Sequence, residues 1–305
     1  MDALVGYTGF VGSNVVEKHK FGALYDIRNI ESAFGIRPDL LVYSGVPAEM
    51  YLANNDPGAD LALIENAVEN IRRIAPKRLV LISTIAVLNN PVGIDEDYVV
   101  NTEHLTAYGL HRYMLEQSAQ KIVPDCHILR LPALFGKNIK KNYIYDLIHF
   151  FPAMLNKEKY DHFSTVEPIV ADCYKLQDNG LYKLIIPKEW EHALRLAFER
   201  LSFSALNFTD SRSVFQFYNL AYLWEHIEMT IANNLSLLHL ATEPLSASEV
   251  YQEICGKKFD NEIVEKPFYY DIRTKYANYF GGINGYIFGR EKVLSDLMAF
   301  IKGKK

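Results

Sequence analysis

The sequence predicts an α/β fold built on a doubly wound parallel sheet, with a smaller, mostly helical lobe toward the C-terminal end. Three observations predict it. The runs "DLLVYSG" (Asp39 to Gly45) and "RLVLIST" (Arg78 to Thr84) are almost unbroken in their apolar character, as strands covered on both faces must be. Amphipathic segments alternate with these runs, which is the rhythm of β-α-β units. Gly6, Gly9 and Gly12 fall where the first strand turns into the first helix.

Taken in order, "ALVGY" is a short strand and Phe10 to Lys20 a helix, followed by "GALYDI" as a second short strand. After the strand at Asp39 to Gly45, the turn Asn54-Asn55-Asp56-Pro57-Gly58 leads into an amphipathic helix from Asp60 to Ile74, with Leu61, Ile64, Val68 and Ile71 on one side. Pro76 ends it. The strand Arg78 to Thr84 precedes a helix from Thr102 to Ile122, and "CHILRLPALFG" reads as a further strand. Residues 1–135, with a returning segment at about 207–245, are expected to form the nucleotide-binding domain. Residues 136–206 and 246–305 are expected to form the substrate lobe, with Leu235 to Ala241 a last strand of the sheet and Ser246 to Cys255 a helix.

Composition removes several function classes. The chain has 305 residues, 49% apolar, and a net charge of −5. That charge supplies no field for a phosphate backbone, so nucleic acid is not an expected partner. The uncharged run from Leu79 to Ile94 is broken by Asn89, Asn90 and Pro91, which leaves no span of about 20 apolar residues for a membrane. Cys126, Cys173 and Cys255 are odd in number and lack metal-ligand spacing, so reduced thiols in a cytoplasmic protein are expected, with no metal.

The glycine spacing carries chemistry. Glycines at a strand-to-helix turn let the backbone approach a pyrophosphate, and the helix start offers unpaired N–H groups with partial positive charge. The plain alternative is a tight turn with no ligand. Gly6, Thr8, Gly9, Phe10, Val11 and Gly12 are therefore candidate contacts to a dinucleotide on a Rossmann-type sheet. The second strand ends at Asp26, where a carboxylate suits the adenosine ribose of NAD, and two residues on Arg28 suits the 2′-phosphate of NADP. Only 14 residues separate Gly12 from Asp26, so the cofactor stays NAD or NADP.

The pattern GxxGxxG, followed in order by "DLLVYSG", "LVLIST", "YGLHRYMLE", "LRLPALFG" and "LLHLATEPLSASEVY", resembles the extended short-chain dehydrogenases/reductases of the NAD-dependent epimerase/dehydratase group. The resemblance runs from Leu4 to Tyr251. It implies Thr84, with Ser83 beside it, and Tyr108 with Arg112 as the catalytic set; Ser44, Gly45, Asn66, Leu131 and Pro132 as further cofactor contacts; and a homodimer through the Tyr108 helix.

The chemistry of that set follows from the residue types. A sugar hydroxyl gives up its proton as the carbon that bears it gives hydride to a nicotinamide, so a base has to lie near the oxygen. A tyrosine serves when nearby positive charge pulls its pKa down, and Tyr108 and Arg112 are four residues apart, on one helix face. The family usually has lysine where Arg112 stands; arginine keeps the charge but cannot relay a proton. Ile85 and Ala86 stand where the group's sugar dehydratases carry Asp-Glu, which disfavours 4,6-dehydration. Epimerisation and carbonyl reduction of a nucleotide sugar both stay open, as does a non-catalytic sensor or scaffold of the same fold. Lys137 and Asn142, in the basic loop "GKNIKKN", and Arg212 are candidate contacts to the substrate diphosphate.

Overall fold

A computed structural model describes residues 1–303. The chain forms two compact units: the first comprises residues 1–138, 214–245 and 269–300, and the second residues 139–213, 246–268 and 301–303. Residues 269–300, expected in the substrate lobe, therefore belong to the first unit.

The first unit opens with β1 (Asp2–Val5), α1 (Phe10–Val16), β2 (Ala23–Tyr25), β3 (Leu40–Tyr43), α2 (Met50–Asn55), α3 (Pro57–Ile74), β4 (Arg78–Thr84), α4 (Ala107–Ile122), β5 (Cys126–Leu131) and β6 (Ala133–Phe135). The second unit then contributes α5 (Tyr143–Ile148), β7 (Met154–Leu155), α6 (Lys157–Val166), α7 (Ile169–Cys173), β8 (Tyr174–Leu176), β9 (Tyr182–Leu184) and α8 (Glu191–Arg200). The remaining elements are β10 (Val214–Phe215), β11 (Phe217–Asn219), α9 (Leu223–Ala232), β12 (Leu237–His239), β13 (Leu245–Ser246), α10 (Ala247–Cys255) and α11 (Arg290–Lys302).

Six parallel strands form the main sheet in the order β12-β5-β4-β3-β1-β2. Successive residues of each strand serve opposite layers. Ala3, Val5, Leu41, Leu79 and Ile128 pack against Ile64 and Ile71 of α3 and Leu115 of α4. Leu4, Val42, Val80 and Leu129 pack on the other side against Val15 of α1 and Ile227 of α9. This double cover explains the unbroken apolar runs. Because β2 and β3 flank β1 on opposite sides, the order reverses at β1, and a crevice is expected at the carboxyl ends of β1 and β3.

Several boundaries differ from expectation for local reasons. Helix α1 stops at Val16 because the Lys18 N–H turns back to the Val15 carbonyl. Helix α4 starts at Ala107, where Thr106 caps it, and not at Thr102. Pro132 has no N–H for the ladder, so "CHILRLPALFG" splits, and β6 pairs with β11 outside the main sheet. In α3, Asp56 caps with its side chain and Pro57 takes the first helical position.

The second unit is not helical throughout. A small antiparallel sheet, β7-β9-β8, lies among its helices, and Leu155, Phe163, Val170, Cys173, Tyr174, Leu194 and Phe198 form its core. Among the described residues, no helix is long and apolar enough to cross a membrane, no group of His, Cys, Asp or Glu has the makings of a metal site, and no disulfide joins the three cysteines. Burial pushes the Cys126 thiol up to about 12.

Candidate active site

The glycine turn is shaped by the backbone itself. Gly6 has φ +89°, and a Cβ there would lie 2.5 Å from the Ser44 carbonyl oxygen; one on Gly12 would lie 2.2 Å from the Gly6 oxygen. Both glycines are dictated by close approach of chain to chain. Gly9 differs: it caps α1, and a Cβ there would meet only the Gly6 oxygen, at 3.3 Å. Thr8 and Gly9 are exposed, Phe10 and Val11 half-buried. Ser44 donates both its hydroxyl and its N–H to the Val5 carbonyl, each at 3.0 Å, and a Cβ on Gly45 would press on Val5 at 2.8 Å. The turn and the Ser44-Gly45 step thus share the carboxyl ends of β1 and β3.

Asp26 and Arg28, weighed as rivals for the ribose, are partners. The Arg28 guanidinium donates to both oxygens of Asp26, with Nε 3.0 Å from Oδ2, and the Arg28 N–H donates to Oδ1 at 2.9 Å. Arg28 holds the Asp26 carboxyl below the usual carboxylate range. Asp26 is 8% exposed while the Arg28 side chain is 73% exposed, so the arginine is the outward-facing member.

Thr84 ends β4, and its hydroxyl accepts the Ala86 N–H at 3.2 Å, capping the short turn Ile85–Val87. A Cβ on Gly109 would lie 2.2 Å from the Ala86 carbonyl oxygen, so the first turn of α4 rests directly on that turn. This contact brings the neighbourhoods of Tyr108 and Thr84 together. Tyr108 is buried, and its N–H donates to Asn54 of α2 at 3.0 Å.

Arg112 lies over the Tyr108 ring, its guanidinium carbon 3.9 Å from the ring centre. Its Nη1 donates to Asp60 at 2.5 Å and its Nη2 to the Pro47 carbonyl at 2.9 Å, while Nδ1 of His111 lies 2.8 Å from the same Asp60 oxygen. The expected fall in the Tyr108 pKa is not what the environment produces. Burial pushes the phenol up, Arg112 pulls it down by less, and the charges of Asp60 and Glu49 add to the rise. Asp60 was not among the residues expected here, yet it stands four positions before Ile64 on the buried stripe Asp60, Ile64, Ala67, Ile71, Ile74.

Other expected contacts are used differently. The Ser83 hydroxyl donates to Glu116 at 2.5 Å, and Glu116 holds Arg130, whose Nη1 reaches Nε2 of His239 at 3.3 Å. The His239 Nδ1 lies 3.0 Å from the Arg273 carbonyl and so carries the proton, leaving Nε2 to accept from Arg130. Desolvation accordingly drives His239 down to about 3. Asn66 sits on the exposed face of α3, turned away from the sheet by the pitch of the helix, and Leu131 and Pro132 are buried at the end of β5. Lys137 pairs with Glu17, Asn142 caps α5 through the Ile144 and Tyr145 N–H groups, and Arg212 forks onto Asp210 and reaches Glu262. In each case the chain's own groups occupy the side chain. A surface hollow of about 360 Å³ lies at the opposite, amino end of the strands, among Asp2, Leu40, Arg78 and Trp224, away from this chemistry.

No family model and no curated protein matches the chain. Solved structures do. dTDP-4-dehydrorhamnose reductase from Bacillus anthracis, in complex with NADP, superposes with a TM-score of 0.64 at 15% identity, covering 99% of this chain and 97% of that one. The chain has the fold of the extended short-chain dehydrogenases/reductases. The same short-chain dehydrogenase fold is shared with the Yersinia enterocolitica dTDP-4-dehydrorhamnose reductase (TM-score 0.64, 13% identity, 100% and 99% of the two chains). A variant of UDP-glucuronic acid 4-epimerase from Bacillus cereus, in complex with NAD and a fluorinated UDP-sugar, matches over 100% of this chain and 99% of that one, with a TM-score of 0.59 at 14% identity.

Proposed function

We propose that this chain binds a nicotinamide dinucleotide and uses it to reduce or epimerise a nucleotide-activated sugar. The observation that carries the proposal is the exposed Gly9 at the switch point of the sheet. The chain's own packing accounts for Gly6 and Gly12, but at Gly9 it leaves room that a pyrophosphate would fill. Solved chains of the same fold in complex with NADP or NAD support the reading.

When bound, the dinucleotide supplies the hydride acceptor or donor. Thr8, Gly9 and the start of α1 would hold its pyrophosphate, and the Asp26–Arg28 pair would meet the adenosine ribose. Tyr108 would take or return the proton of the sugar hydroxyl, with Thr84 hydrogen-bonding the same oxygen and Arg112 favouring the phenolate. A homodimer through α4 goes with this reading, and Met114 on α4 and Leu63 on α3 are exposed apolar side chains on those helices.

Calorimetric titration of the ligand-free protein with NAD and then NADP tests the proposal. Micromolar binding of either supports it; no heat from folded protein removes it. Turnover of nucleotide sugars by the wild type and its loss in Tyr108→Phe, with dinucleotide binding retained, test the role of Tyr108. Stoichiometric change of the cofactor marks a reductase, and product without net cofactor change marks an epimerase.

A second reading, a dinucleotide-binding sensor without turnover, is favoured by the engagement of Arg112 with Asp60 and the raised Tyr108 phenol. Under it, Tyr108→Phe leaves dinucleotide binding unchanged and no sugar is turned over by either protein.

A further inference from the structure

We propose that Asp60 is a positioning residue for Tyr108, holding the Arg112 guanidinium over the face of the phenol ring so that the poise of this tyrosine is set by an ion pair inside the protein. The inference rests on the reading of Tyr108 as the acid/base group and extends it to a residue on another helix.

The geometry is specific. Asp60 lies in the first turn of α3, where the helix N-terminus favours a carboxylate, and it is 5% exposed. One of its oxygens takes both Nη1 of Arg112 and Nδ1 of His111, from neighbouring residues of α4. The Pro47 carbonyl holds the other end of the guanidinium. Two anchors and the ring face define the plane of Arg112, which lysine, with a point charge and no fork, would leave undefined. The arginine in place of the family's usual lysine is thus matched to two acceptors, the Asp60 carboxylate and the Pro47 carbonyl, that take its two Nη groups.

The consequence for Tyr108 has a sign. Arg112 favours the phenolate, Asp60 opposes it, and both act on the ring from within a buried cluster. Glu49, ahead of α2, opposes it as well, and Asn54 of α2 accepts the Tyr108 N–H. His111 shares the Asp60 oxygen that holds Arg112. Removing the Asp60 charge while keeping its shape should lower the phenol pKa, and then removing the Arg112 charge as well should raise it again.

The test is titration of the full-length protein carrying 3-fluorotyrosine, followed by fluorine NMR, with the Tyr108 signal identified by its loss in Tyr108→Phe. Asp60→Asn is expected to lower the Tyr108 midpoint by about one pH unit. The double variant Asp60→Asn/Arg112→Gln, which leaves no unpaired buried charge and so avoids the folding penalty of Arg112→Gln alone, is expected to return the midpoint above that of Asp60→Asn. Loosened packing without an electrostatic role would move both variants the same way. A midpoint in Asp60→Asn equal to wild type, or a double variant equal to or below Asp60→Asn, overturns the proposal. No dinucleotide or sugar is present in this experiment, so failure of the enzymatic reading in calorimetry and failure of this inference are separate results.

Discussion

Glu116 of α4 and Arg130 of β5 form a forked ion pair in the core, with Nε to Oε1 at 3.0 Å and Nη2 to Oε2 at 2.7 Å, at 1% and 3% exposure. A buried pair of this kind is weak evidence for net stability, but breaking it strands a charge. Glu116→Ala is expected to cost roughly 3–5 kcal/mol, and replacing both residues by leucine and methionine to recover most of that. Urea unfolding of the single and double variants checks this; a double variant no more stable than the single would contradict it.

The three glycines of the first turn are expected to separate into two kinds. Gly6→Ala and Gly12→Ala force a Cβ onto backbone oxygen at 2.5 and 2.2 Å and should destabilise the fold by at least about 2 kcal/mol. Gly9→Ala, which meets one oxygen at 3.3 Å and weakens the cap of α1, should cost the fold less than either, about 1 kcal/mol, and weaken dinucleotide binding about tenfold. Equal dinucleotide affinity in wild type and Gly9→Ala would remove Gly9 from the site.

Cofactor choice should turn on the outward member of the Asp26–Arg28 pair. Arg28→Ala frees the Asp26 carboxylate for ribose hydroxyls and removes the partner of a 2′-phosphate. NADP affinity is expected to fall about tenfold relative to NAD, read by paired calorimetric titrations. An unchanged ratio would place the adenosine end elsewhere.

Stability should decline on mild acidification because of two buried histidines. Desolvation lowers His239 to about 3 and His226 to about 4, from 6.5. Folded pKa values below unfolded ones mean that the unfolded chain takes up protons first, so the stabilisation present above pH 6.5 is lost as pH falls toward 4. Each group contributes a slope of about 1.4 kcal/mol per pH unit in that window. Urea midpoints at pH 7, 6 and 5 should drop steadily in the wild type and less steeply in His226→Asn; parallel profiles would refute the assignment.

The sheet was legible in the sequence because burial on both faces writes itself as apolar runs, and "RLVLIST" matches β4 to the residue. Gly6 and Gly12 were legible for a different reason: chain approaches chain there too closely for any Cβ. Partners across helices were not. Nothing local in "GADLAL" says that Asp60 meets Arg112, 52 residues on, although an acid in register with Ile64 and Ile71 was a sign of a buried charge in need of a cation. Charged loop residues gave no sign of their partners either: Lys137 meets Glu17 and Arg212 meets Asp210, and neither acid carries a periodic signature.

The return of residues 269–300 to the first unit bears on how the molecule is made. The Glu96 carboxylate accepts the N–H of His239 and of Lys275, groups 143 and 179 residues further along the chain. Closing such loops carries an entropic cost before any contact rewards it, and folding slows with the sequence distance spanned. During synthesis, β1 to β5 emerge long before β12 and Lys275, with the β5 edge unpaired and the Glu96 carboxylate unmet. The nascent sheet must therefore wait, aggregation-prone at that edge, until most of the second unit has also been made.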